Sequence, residues 1–241
     1  MATTAPSLND RLRDRRFYLL IALLLAGLVF VGFAPTFYLN RLFNRFPLSG
    51  LHILHGTVFS SWIALLIVQS ALISARQVRV HRRLGYAAIA LVVLMVVLGV
   101  TIAIYAVRRG TTPPGAPPPL VFFAIPLFDM IVFSAVVGAA FWYRNRPETH
   151  KRLMIVATLS IVPAASARML LKLHAGAPIL EAYGISFLIL LGCMVYDYAT
   201  RRRVFPAYLW SGLFFVISVP LRLYISGTNA WLSFAHWITR T

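Results

Sequence analysis

Six histidines are the side chains of this sequence best suited to chemistry: His52, His55, His81, His150, His174 and His236. A neutral imidazole ligates haem iron or zinc, and it exchanges protons near physiological pH. Two spacings raise them above isolated residues. In the segment LHILHGTVFSSWIALLIVQSALISAR, His55, Trp62, Gln69 and Arg76 recur every seven residues. On a helix of 3.6 residues per turn they drift only about 20° per step and form one polar stripe. The segments HRRLGYAAIA from His81 and HKRLMIVATL from His150 both read His, basic, Arg, Leu, three residues, Ala. This echo puts equivalent histidines at the same depth on two helices. Arg168 follows His150 by 18 residues, five helical turns, and falls on the same face of an unbroken helix. The alternatives are structural. The stripe would serve hydrogen bonds between helices, and both histidines would cap helix N-termini beside lipid phosphates.

The elements that must position these residues are membrane spans. With 60% hydrophobic side chains and a mean hydropathy of +0.79, the 241 residues need lipid as solvent. Runs of about 20 apolar residues, enough to cross roughly 30 Å of hydrocarbon, lie at 17–38, 51–75, 85–107, 120–143, 153–173, 178–198 and 206–225. The expected fold is an all-α polytopic bundle of about seven helices forming a single transmembrane domain over 1–241. Its expected core is 51–173, with 17–38, 178–198 and 206–225 peripheral. Arg11, Arg13, Arg15 and Arg16 precede the first run as in a signal peptide, but the run exceeds an h-region of roughly 7–15 residues. It reads as a retained helix.

A net charge of +17 would suggest nucleic acid in a soluble chain. Here the basic residues cluster at the ends of apolar runs, where they anchor to head groups, so the partner is the lipid bilayer and not nucleic acid. Of the 23 Lys and Arg, fifteen fall on the side of the N-terminus and eight on the other. The richer side is expected to be cytoplasmic, with the N-terminus inside and the C-terminus outside. The proline-rich stretch at 110–119 is an outer linker, and 229–241, with Trp231, Phe234 and Trp237, is an interfacial tail capping the outer surface. The single cysteine, Cys193, excludes disulfides within the chain.

On this topology His81 and His150 stand at the cytoplasmic entrances of the third and fifth spans. His52, His55, His174 and His236 lie toward the outer face, a membrane away. Asp129 in the fourth span and Arg222 in the seventh are intramembrane charges that need partners, so Asp129 should pair with Arg168 or Arg222.

These residues resemble a family of bacterial multi-pass membrane proteins of unknown function. Its pattern is an early His, a Gln near the far end of the same span, a basic loop closing in His-Arg-x-x-Gly, and a later His-x-x-Met followed by Arg. Here those features are His55, Gln69, the run from His81 to Gly85, His150 with Met154, and Arg168, covering roughly 51–170. More distantly the chain resembles the b-type di-haem cytochromes and ferric-reductase-like proteins, although its fourth span carries no histidine. That resemblance implies haem b and an electron-transfer role with a redox partner or quinone in the bacterial inner membrane. It would place an inner haem on His81 and His150 and an outer one on His52 or His55 with His174. Arg83, Arg152 or Arg168 would neutralise the propionates.

A second reading is a transporter or lipid-handling protein whose polar cavity is lined by Asp129, Arg168, Arg222, Gln69 and Trp62, with Pro163 and Pro220 breaking their helices. A third is a metal-dependent membrane hydrolase using the outer histidines with Glu181. No HExxH-like spacing accompanies it.

Overall fold

The computed structural model describes residues 8–43, 47–171 and 178–240, with side chains from residue 12. Every regular element among them is helical: α1 (Leu8–Phe33, continued by a π-helical turn Ala34–Tyr38), α2 (Gly50–Ser74), α3 (Val78–Arg108), α4 (Pro119–Phe122), α5 (Ala124–Trp142), α6 (Pro147–Ile161), α7 (Pro163–Leu170), α8 (Ile179–Arg201), α9 (Pro206–Ser226) and α10 (Asn229–Thr239). Six spans are long and apolar enough to cross a membrane, and the pair α6–α7, bent by 40°, makes up to seven.

The breaks follow from residue type. Ser49 caps α2, its side chain accepting from the His52 N–H. Arg76, in the left-handed conformation at φ 61°, ends that helix in a tight reversal into α3. It therefore leaves the stripe that the sequence spacing assigned to it. Pro147 and Pro206 open α6 and α9, where a missing N–H costs nothing. Pro163 cannot donate to the carbonyl four residues back, and the fifth span bends there. Pro220, in contrast, sits inside an unbroken α9. The expected break there does not occur, since the helix runs on from Pro206 to Ser226.

Packing neighbours close a ring: α1 on α2, α2 on α3, α3 on α5, α5 on α9, α9 on α8, α8 on α7 and α7 back on α1. Inside it stands α6, in contact with α5, α8 and α9. Eight of the nine residues of α6 from Arg152 to Ser160 are buried, an all-round burial no ring helix matches. The centre of the bundle is thus the first half of the fifth span, and the first, sixth and seventh spans belong to its wall as much as the second to fourth. Outward-facing Leu20, Val93, Leu188, Leu191 and Leu213 are exposed, as lipid requires.

Side-chain contacts define the two ends. Asp14, Lys151 and Arg201 meet at one end, called here the basic end, with the starts of α3 and α6. At the opposite end α10 covers α3 and α4. Trp231 donates to the Leu120 carbonyl at 2.9 Å, Arg108 donates to the Thr239 carbonyl at 2.8 Å, and Ala103, Val107, Phe123, Ala124 and Ala235 fill the space between.

α1 meets α7 closely at Gly32, where an added Cβ would stand 2.3 Å from the Ala165 carbonyl oxygen, a main-chain atom that cannot yield. Gly32→Val should therefore lower the thermal midpoint in detergent by an amount corresponding to about 1–3 kcal/mol. Gly27→Ala, where a Cβ meets nothing within 4 Å, should leave the midpoint unchanged. Equal effects of the two would refute the close approach of α1 and α7.

Candidate functional site

At the basic end the first turns of α3 and α6 bring His81 and His150 together, with ring centroids 6.5 Å apart and planes at 81°. The His150 Nδ1 lies 2.8 Å from the Ala140 carbonyl oxygen on α5. A carbonyl only accepts, so Nδ1 carries the proton and Nε2 of a neutral ring keeps its lone pair. The His81 ring lies against the main chain of Gln69 on α2. Its Nδ1 and the Gln69 Oε1 are both buried, and neither has a hydrogen-bond partner among the described residues. Orphaned buried polar atoms are costly and call for an explanation. Of the sequence-derived candidates, this cluster joins His81, His150 and Gln69.

What the pair can do follows from its donor set. No group of three or more His, Cys, Asp or Glu among the described residues could hold a metal ion, so a closed zinc site has too few ligands here. Haem iron brings four ring nitrogens of its own and takes only two axial ligands. With metal–imidazole bonds of about 2 Å, two axial rings have centroids roughly 6 Å apart, and the observed separation fits. The angle between the planes is set by the protein in such a pair, and here it is 81°.

The rest of the stripe runs toward the opposite end. Trp62 is buried and donates from Nε1 to the Thr158 hydroxyl at 3.2 Å, joining α2 to α6. His55 stacks obliquely on Phe59 with centroids 4.2 Å apart, and its Nδ1 has no partner among the described residues. Arg168 is within electrostatic reach of His55. It donates to the Ala164 carbonyl at 2.8 Å and stands 4.5 Å over the Phe33 ring. His52 turns elsewhere, bonded to the Ser49 hydroxyl at 2.7 Å and edge-on to Tyr105. His52 and His55, three residues apart, thus point to different neighbours. His174 lies outside the described residues, and Glu181 stands exposed on α8.

The cavity expected around Asp129, Arg168, Arg222, Gln69 and Trp62 is not assembled, because these residues fall in three places. Arg222, with no exposed surface, pairs with Asp129 and donates to the Tyr183 hydroxyl at 2.6 Å and to the Ser218 hydroxyl at 2.7 Å. Tyr183 in turn donates to Asp129 at 2.7 Å. Arg168 takes no part, since the bend at Pro163 carries it toward α1.

Arg152 is likewise unavailable to a propionate. Its guanidinium is wholly buried, grips Asp197 at 2.7 and 2.6 Å, contacts Glu148 at 2.8 Å and stacks 3.6 Å from the Phe205 ring. Lys151 bridges Asp14 at 2.7 Å and Glu148 at 2.9 Å, while Arg201 bridges the same two carboxylates. This network ties α1, α6 and α8 and was missed from the sequence. Its signal was available: six acids serve 23 basic residues, and each acid near a span must already be taken.

Asp197→Ala would strand the buried Arg152 charge and should destabilise the protein in detergent by about 3–5 kcal/mol, whereas Arg152→Leu with Asp197→Leu should recover most of that loss. A single variant as stable as wild type would show that Glu148 alone satisfies Arg152. Compared with known proteins, the chain matches no family model, no curated protein and no solved structure, so its functional reading rests on this geometry.

Proposed function

We propose that this protein is a membrane electron carrier that holds one haem b at its basic end, with His81 and His150 as axial ligands. The observation that carries the reading is the convergence of two imidazoles from separate helices at a separation suited to an intervening iron. The Nδ1–H of His150 donates to the Ala140 carbonyl, which orients the ring and raises the basicity of Nε2. His81 completes the pair from the wall. Of the arginines considered for a propionate, Arg152 and Arg168 are engaged elsewhere, and Arg83 is exposed two residues after His81. Haem would supply the one-electron chemistry, while the chain would supply ligands and orientation. The outer haem, expected on His52 or His55 with His174, is not part of this reading, because His174 lies outside the described residues.

The basic end faces the cytoplasm of a bacterial inner membrane in this reading, as the excess of Lys and Arg there favours. Electrons then enter from a soluble or membrane redox partner or a quinone. Three residues of the His, Gln, His, His, Arg pattern, Gln69, His81 and His150, fall in this one cluster.

Protein purified in detergent and supplied with haem should show a Soret band that sharpens and shifts on dithionite. His81→Ala and His150→Ala should each abolish it, and His55→Ala should leave it intact. A band indifferent to both ligand substitutions, or none at all, would overturn the assignment. For orientation, the native Cys193 is buried, so Ala116→Cys gives a clean probe. It should react with an impermeant maleimide in intact cells, and labelling only after lysis would reverse the topology.

A further inference from the structure

Between α3 and α5, on the lipid-facing side, runs a furrow of about 440 Å³ lined by Ile89, Val92, Val93, Val96, Val97, Ser134, Val137, Gly138 and Phe141. Its lone polar group, the Ser134 hydroxyl, is spent on the Met130 carbonyl at 2.6 Å. Eight residues of α3 separate its ends, about 12 Å of helix rise. Only a hydrocarbon chain suits such walls at this depth.

The furrow is not symmetric along its length. Arg82 precedes Ile89 by seven residues and Val96 by fourteen, so it stands over the same face of α3, one heptad beyond the furrow on the basic end. On the opposite wall Arg144 donates to the carbonyl of Phe141, the lining residue nearest that end. Both arginines are exposed, and neither forms an ion pair with an acid among the described residues. The nearby acids Glu148 and Asp14 are committed to Lys151, Arg152 and Arg201.

We infer that this furrow is a binding site for an anionic glycerophospholipid, one acyl chain lying between α3 and α5 and the phosphate held between Arg82 and Arg144. The apolar walls set the chain's place, and the arginine pair sets the preference for a negative head group. Gly138 gives the furrow its depth. A Cβ there meets nothing within 4 Å, so a larger side chain would enter the chain's space without disturbing the bundle. The site is independent of the imidazole pair and stands whether or not haem binds.

Native mass spectrometry of the full chain in detergent, titrated with phosphatidylglycerol or phosphatidylcholine of matched acyl chains, tests the inference. Wild type should retain one phosphatidylglycerol with roughly a tenfold or greater preference over phosphatidylcholine, as two interfacial arginines supply. Arg82→Ala with Arg144→Ala should bring the two lipids to parity. Gly138→Leu and Val93→Phe should each remove the retained lipid while leaving the thermal midpoint of the lipid-free protein unchanged. Equal retention of both lipids by wild type, or unaltered retention by both furrow-filling variants, would overturn it. So would a dimer that either variant dissociates, because a second copy would then cover the furrow.

Discussion

Arg152, wholly buried at the start of the central helix, holds Asp197 with two parallel hydrogen bonds, and much of the bundle is arranged to make that contact affordable. A guanidinium removed from water pays a desolvation cost that only a well-aligned carboxylate and further acceptors repay. Glu148 supplies those acceptors through its carbonyl and carboxylate, and Phe205 covers the guanidinium face. Meeting these demands fixes the depth of α6 relative to α8 and the start of α9. Through Lys151 and Arg201 it also fixes α1. The Asp129–Arg222 pair does the same work at the other end, joining α5, α8 and α9.

His150 precedes Arg152 by two residues, so the ion pair that sets the position and rotation of α6 also sets where the imidazole points. The ring turns away from the charged network toward α5, where the Ala140 carbonyl fixes it, and faces His81 beyond. The charges and the imidazoles occupy the same end of the bundle yet remain separate systems. That separation explains why, among the described residues, no carboxylate joins the histidines in a cluster of three or more metal-binding side chains.

The all-helical class and the place of the six long apolar spans were legible in the sequence because hydropathy reports directly on contact with lipid, and the bent pair α6–α7 makes up to seven. The stripe of His55, Trp62 and Gln69 and the meeting of His81 with His150 were also legible, the first from heptad spacing and the second from the repeated His-basic-Arg-Leu. Arg76 was misplaced because the stripe was extended past a turn that only its positive φ reveals. Arg168 was misplaced because five turns of straight helix were assumed across Pro163, and the bend there redirects it to Phe33. Pro220 shows the reverse case, a proline absorbed without a break. Which of two arginines takes Asp129 is a question of tertiary packing, and hydropathy carries no information on it. Asp197 went unnoticed because it ends an apolar run where a surface charge is ordinary.

The central proposal is that His81 and His150 would hold one haem between them, and the planes of the two rings stand at 81° in the structure. Low-temperature electron paramagnetic resonance of the oxidised, haem-loaded protein reads that angle, because crossed imidazole planes leave the iron orbitals nearly degenerate and give a strongly anisotropic low-spin signal. Such a signal, lost in His81→Ala, is the expected result. A rhombic spectrum of parallel imidazoles, or a high-spin spectrum unchanged by that substitution, would contradict it.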